Sequence, residues 1–365
     1  MAIQVLGTHD SDRWLAILKQ SRQHDFHHLP QYHRVSEQRG EGRANFFVFR
    51  EGDYTIGMPL LLRPVHPGAA AGWQDATSVY GYGGPVTSHE APPEPVVRHF
   101  QAELAAALGE RRVVAVFSRL HPLMAQHGIL AGLGECKASG TTLSIDVTLS
   151  DAEQRAGYSK DTRARIRKLC AAGFVGSHDH EKRYLPEFVE VYLETMHRVG
   201  AKSSYFFDRA YFELLARELG SASHLFVVLK DGVVVAATLC TLCDGIVQDH
   251  LGGTRTAFLK FSPDRLVVDT ARIWAMKAGA RAYHLGGGVC AKDDSLFKYK
   301  SGFSDRRHAF STFRWVLLPE VYEELSASVA DRNRADGMEP ISTDYFPAYR
   351  CPARPLSENY TTAEH

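Results

Sequence analysis

The chain has 365 residues, an ordinary globular composition, and 42 basic side chains that cancel 42 acidic ones. Its length predicts two domains of about 150 to 180 residues rather than one core. Its neutrality excludes binding to nucleic acid through a global field and leaves only local patches for such contact. No apolar run approaches the ~20 residues that span a bilayer, and Met1–Gly7 runs straight into the polar Thr8–Arg13, so we expect a cytoplasmic, reduced protein without stable membrane insertion.

From Asp12, the apolar residues Trp14, Leu15, Ile17 and Leu18 fall at helical spacing. The run His24–His33 carries histidines but no carboxylate or cysteine at a recognised metal spacing, so we expect its rings to line a cleft or lie on the surface, with no metal site. Asn45–Phe49 and Tyr54–Leu62, joined by Glu51-Gly52-Asp53, read as a β-hairpin. In the loop Asp75–Pro85, Gly81, Gly83 and Gly84 leave room beside the backbone, and Tyr80 and Tyr82 offer flat faces with hydroxyl ends. We read it as a ligand loop, a packed structural turn being the alternative. A helix over Pro93–Leu108, a strand at Val113–Phe117, a helical stretch at Leu123–Leu130 and a strand at Thr142–Leu149 complete a first domain, 1–149.

Ser150-Asp-Ala-Glu153 is a capping box that opens a helix ending at Gly173. It carries Arg155, Lys160, Arg163, Arg165, Arg167 and Lys168, a local basic face able to hold phosphates or simply to be solvated. Helices follow at Pro186–Val199 and Asp208–Leu219, then a hairpin of Leu225–Leu229 and Val233–Leu242, a strand at Ile246–Leu251 and a helix at Asp264–Ala278. Of six cysteines only Cys240 and Cys243 are suggestively spaced, and their apolar surroundings favour a buried strand over a redox or metal pair. The strand Ala282–Leu285 then enters Gly286-Gly287-Gly288, the acidic pair Asp293-Asp294, and Leu296-Phe297-Lys298-Tyr299-Lys300-Ser-Gly-Phe303. The glycines predict a close approach to the main chain. Read as a strand, Lys298 and Lys300 share one face. A lysine held among rings and main-chain dipoles offers a cation to a carbonyl oxygen that is gaining charge; lysines protecting an exposed edge strand are the alternative. A strand at Ala309–Leu318 and a helix at Glu320–Val329 close a second domain, 150–330, and the polar, proline-rich tail 331–365 reads as surface-lying or disordered. The halves repeat one another: Phe46–Phe49 and Leu225–Val228 precede glycine turns at Gly52 and Gly232, and the glycine pairs Gly83-Gly84 and Gly252-Gly253 follow, each leading to a helix and a strand.

The run Leu-Gly-Gly-Gly, Asp-Asp-Ser-Leu-Phe and aromatic-Lys-Ser-Gly-Phe resembles the C-terminal signature of the Fem (FemABX-like) family of non-ribosomal peptidyltransferases. Thr162-Arg163-x-x-Ile166-Arg167 with Gly173 resembles the block that opens that family's second domain. The resemblance implies an α/β (α+β) fold of two tandem GNAT-like domains, each a mixed, mostly antiparallel sheet flanked by helices. It also implies transfer of an amino acid from aminoacyl-tRNA to an amine on a peptidoglycan precursor or small natural product, with no cofactor. Lys300 corresponds to the family's catalytic lysine, Tyr299 stands where phenylalanine is usual, and Lys160, Arg163 and Arg167 would hold phosphates. The long coiled-coil arm of some members has no room here.

The expected chemistry is aminolysis of an activated ester, with Lys300 facing the oxyanion. Asp249, His250 and Asp75 are the candidate bases, and Tyr80, Tyr82, Gly287, Phe297 and Lys298 are expected to line the substrate site. Acyl-CoA enzymes of this fold seat the pyrophosphate on a glycine-rich loop at a helix N-terminus. Neither Leu259–Asp264 nor Ser88–Pro93 contains glycine, so acyl-CoA ranks below aminoacyl-tRNA as donor. A non-catalytic double-GNAT binding protein is the third reading.

Overall fold

A computed structural model describes residues 3–65, 72–288, 294–342 and 344–355. The first half of the chain contains β1 (Gln4–Leu6), α1 (Ser11–Gln20), α2 (Pro30–Gln38), β2 (Arg43–Glu51), β3 (Tyr54–Pro64), β4 (Gln74–Thr77), β5 (Val86–Thr87), α3 (Glu94–Glu110), β6 (Val113–Arg119), α4 (His127–Leu130) and β7 (Glu135–Asp146). The second contains α5 (Asp151–Ala156), α6 (Lys160–Ala171), β8 (Val175–Asp179), α7 (Leu185–Arg198), α8 (Arg209–Leu219), β9 (Ser223–Lys230), β10 (Val233–Cys243), β11 (Ile246–Thr254), α9 (Asp264–Lys277), β12 (Ala282–Gly287), α10 (Ser295–Ser301), β13 (Arg307–Val316) and α11 (Pro319–Ala335).

The strands form one sheet in the order β1-β2-β3-β4-β6-β13-β7-β12-β11-β10-β9-β8, with β5 alongside β3. Pairing is antiparallel except at β4/β6 and β11/β12, which are parallel. The order is symmetric about the β13/β7 pair: β1, β2, β3, β4 and β6 match β8, β9, β10, β11 and β12. Each half has given its last strand to the other, since β7 borders β12 and β13 borders β6. A cut at 149/150 therefore divides the chain but not the sheet. The Gly83-Gly84 and Gly252-Gly253 pairs are not equivalent: the second lies within β11, where a Cβ on Gly253 would come within 2.7 Å of the Val191 carbonyl on α7.

The tail departs from expectation. The last helix runs on to Ala335, Tyr349 is buried, and Arg350 reaches back to Asp75 and the Pro64 carbonyl, so residues 344–355 are pinned to the first half. The predicted Ser150–Gly173 helix is two helices, because after Gly157 the chain starts again with Ser159, whose hydroxyl accepts from the Thr162 amide at 3.1 Å. Cys240 and Cys243 are buried on β10.

Between α5 and α9 lies a fully buried guanidinium. Arg272 donates to Asp269 at 2.9 Å, Asp151 at 2.6 Å and Gln154 at 2.9 Å, while Tyr158 and Arg155 each donate to Asp269 at 2.9 Å. Removing the guanidinium leaves the buried Asp269 carboxylate with Arg155 and Tyr158 and strands the Gln154 carbonyl oxygen. Arg272→Met is expected to lower unfolding free energy by about 1–3 kcal/mol in urea titrations at neutral pH. Breaking the exposed Arg183–Glu181 pair should leave the urea midpoint unchanged.

Candidate functional site

Strands β11 and β12 pair only over Ile246–Gln248 against Ala282–His284 and then part. Local sequence makes the parting possible. A bulge after His284 shifts β12 against β7, and Gly286 sits there at φ +74°, a conformation that disfavours a side chain. A Cβ on Gly286 would lie 3.3 Å from the Lys300 ammonium and 3.6 Å from the Tyr82 hydroxyl. The lysine comes from α10, whose N-terminus is fixed by the Asp294 carboxylate accepting from the Phe297 amide at 2.9 Å. Lys300 Nζ donates to the Gly287 carbonyl at 2.9 Å. Across the parting, Asp249 accepts from the Thr238 hydroxyl at 2.6 Å. The cleft thus joins Lys300, Asp249 and a glycine backbone from the second half with Tyr82 from the first.

Burial lowers the Lys300 pKa, opposed by the charges of Asp249 and Asp294. Burial raises that of Asp249, opposed by Lys300 and the Thr238 hydrogen bond. The two groups hold each other's charge in a poorly solvated site. Tyr299 is raised well above the ordinary phenol value, by burial first and then by Asp264, to which it is hydrogen-bonded. Tyr82 is pushed up to about 12 by burial.

Several expected site residues have other work. Lys298 and Lys300 do not share a strand face, because the segment is helical: Lys298 is exposed while Lys300 turns inward. Phe297 is a core anchor, 3% exposed beneath the Arg307 guanidinium. Asp75 is fully buried and bonded to Arg63 and Arg350, so it is not available as a base. His250 packs between Phe26, Tyr32 and Tyr80 of the first half, and burial lowers its pKa to about 3, which makes it a packing group rather than a base. Tyr80 lies on that side too, against Tyr205 and Phe207. Arg163 donates Nη1 to the Arg155, Ala156 and Tyr158 carbonyls at 3.1, 3.0 and 2.7 Å and so closes the end of α5. Lys160 and Arg167 are exposed on α6. The room beside Gly81 and Gly84 is filled by the protein itself, since Cβ atoms there would strike His27 and Gln126. Asp293 lies outside the described residues. A groove of about 790 Å³ between α3 and residues 125–132 contains none of the cleft residues.

Behind the cleft lies a polar cluster that the sequence reading missed. Asp25, wholly buried, receives His27 Nδ1 at 3.0 Å, His121 Nε2 at 3.0 Å and Gln248 Nε2 at 2.7 Å on one carboxylate oxygen, and the Phe26 amide at 2.7 Å on the other. Gln248 in turn meets His284 Nδ1 at 2.6 Å. Burial alone would raise the Asp25 pKa, but the His121 and His27 bonds hold it well below the usual carboxylate range. Asp25, His27 and His121 bring ligand-type atoms within 4.8 Å of one another. The Leu123 amide donates to His121 Nδ1 at 3.2 Å, which requires the proton on Nε2, directed at Asp25. Hydrogen bonds therefore close the set, and it fits an anchored carboxylate better than a cation site. The sequence signal was Asp25 itself, two residues from His27; its other partners lie 96 and 223 positions away.

Residues 156–301 match the acetyltransferase (GNAT) domain family. No curated protein matches the chain. Among solved structures, FemX superposes with a TM-score of 0.68 over 89% of this chain and 99% of its own, at 14% identity. L-PGS from Bacillus licheniformis gives 0.52 over 86% and 94% at 15% identity. The C-terminal domain of a putative lysylphosphatidylglycerol synthetase from Agrobacterium fabrum gives 0.53 over 84% and 92% at 12%. At these identities the likeness is one of fold: a Fem-like tandem GNAT fold, with the GNAT acyltransferase domain in the second half. No helix among the described residues is long and apolar enough to cross a membrane.

The buried histidines set an acid limit. Burial lowers His33 to about 4 and His250 to about 3, so below pH ~6.5 the unfolded chain binds protons that the folded one refuses. Stability is expected to fall from pH 7 to pH 5 by about 1–2 kcal/mol for each such histidine in urea titrations, and His250→Phe should flatten that slope.

Proposed function

From the Fem-like tandem GNAT fold and the cleft at Lys300, we propose that the chain is an aminoacyltransferase that moves an amino acid from aminoacyl-tRNA to an amine, forming an amide. The observation that carries this reading is the desolvated ammonium of Lys300, held on the Gly287 carbonyl where β11 and β12 part and faced by Asp249. The acceptor nitrogen attacks the ester carbonyl, a C–N bond forms, and the bond to the ribose oxygen breaks. Lys300 stabilises the oxyanion. Asp249, whose burial raises its proton affinity, takes the proton lost by the amine and returns it to the departing ribose hydroxyl. The ester is already activated, so positioning and charge supply most of the remaining acceleration. The acceptor class, a peptidoglycan precursor or an amine-bearing natural product, follows the family resemblance.

The acetyltransferase-family match favours acyl-CoA as the rival donor. Against it stands the first turn of α9, where this fold would seat a pyrophosphate. It begins Pro263-Asp264 after Ser262 in a left-handed conformation, and it already carries the Asp264 carboxylate, hydrogen-bonded to Tyr299. A carboxylate there repels the phosphates that free amides would attract.

Lys300→Met is expected to reduce single-turnover transfer from saturating aminoacyl-tRNA about 10²–10³-fold with little change in donor affinity; full turnover would contradict the assignment. The reaction needs the protonated lysine, so transfer should be lost as pH rises through a Lys300 pKa that burial holds below the ordinary 10.5. Asp249→Asn removes an attraction that opposes this shift, so it should move the alkaline limb to still lower pH in whatever rate remains.

A further inference from the structure

Away from the cleft, a notch of about 390 Å³ opens between the C-terminal end of α6 and the β9–β10 turn, lined by Ala172, Phe174, Lys230, Val233, Phe258 and Phe261. Its rim is unusually apolar for a surface: Phe261 is 41% exposed and Val233 49%. The rings cluster, with Phe174 5.4 Å from Phe261 and 6.3 Å from Phe258 between centroids. Cations stand over them, Lys260 Nζ at 5.0 Å from the Phe261 centroid and Lys230 Nζ at 6.0 Å from that of Phe174. Lys168 is exposed one helical turn before Ala172 and so lies on the same face of α6. One acidic residue lines the notch, Asp231, and it is paired with Lys230 at 2.9 Å.

One exposed ring, Phe261, backed by the buried Phe174 and bordered by ammonium groups, matches a ligand that alternates planar bases with phosphates. Stacking on an aromatic side chain tolerates any base, and each lysine answers one phosphate. We propose that this notch binds unpaired nucleotides of RNA, with Phe261 as the stacking platform and Lys230, Lys260 and Lys168 on the backbone. The assignment rests on the proposed RNA-linked donor and gives that donor a second point of attachment. Phe261 stands three residues, at most about 10 Å of chain, before Asp264. The Asp264 carboxyl is hydrogen-bonded to Tyr299, the neighbour of Lys300, so the notch and the cleft both lie toward the N-terminal end of α9.

The test measures binding without turnover. A short fluorescein-labelled single-stranded RNA is titrated with the full chain by anisotropy, at several salt concentrations. Phe261→Ala is expected to weaken binding about tenfold, and Phe261→Trp to restore it. Lys260→Ala should reduce the slope of log affinity against log salt by about 0.7. Phe261 and Lys260 are exposed, so both variants should fold, as a thermal melt will show. The proposal is overturned if the wild type does not bind the RNA, if the notch accepts a long-chain acyl-CoA instead, or if Phe261→Ala binds RNA as the wild type does. The last result alongside intact transfer from aminoacyl-tRNA would reject the notch and keep the enzyme. RNA binding lost in Phe261→Ala, with no transfer by the wild type, would do the reverse.

Discussion

An ammonium that is largely out of water must be compensated, and in this protein the parting of two parallel strands supplies the compensation. Once β12 leaves β11, its main-chain groups lose their ladder partners on that side. The Gly287 carbonyl takes the Lys300 ammonium, and Asp249, on the strand that has moved away, supplies the opposing charge. Gly286 is required at the same point because a side chain would occupy the space between Lys300 and Tyr82. Bulge, glycine and lysine are therefore one device, and none of them makes sense without the parting.

The second half could not build this cleft alone. The other edge of β12 is covered by β7, a strand of the first half, and Tyr82 comes from a first-half loop. Behind them Asp25 gathers His27 and His121 from its own half and Gln248 from the other, and Gln248 passes the contact to His284, the last β12 residue to pair with β11. The apex of the cleft is thus tied to a buried carboxylate across the joint between halves. An uncompensated anion there would be costly, and four hydrogen bonds keep it charged.

The order of elements was legible because turn glycines and hydrophobic period carry it: both hairpins, the helix from Asp264 and the strand into Gly286 stand where the sequence puts them. The tandem character was legible for the same reason, and the motif singled out Lys300, the lysine whose ammonium lies on the Gly287 carbonyl. Strand exchange was not, since a chain with the last strands exchanged has the same sequence of elements as one without. The Phe297–Lys300 alternation imitates a strand, although Asp294 three residues before Phe297 was an available helix cap signal. Arg163 read as a phosphate ligand because its real partners are carbonyls freed only when the helix breaks at Gly157. Asp75 read as a possible base because its partner Arg350 lies 275 residues away.

We propose that a GNAT-type cleft here accepts an aminoacyl ester on RNA rather than a thioester. The most direct measurement is mass analysis of amine acceptors after incubation with labelled aminoacyl-tRNA, with and without prior ribonuclease, and in parallel with acyl-CoAs. An amide product is expected from aminoacyl-tRNA, lost after ribonuclease, and none from acyl-CoA. Acylation from acyl-CoA, with no product from any aminoacyl-tRNA, would contradict it.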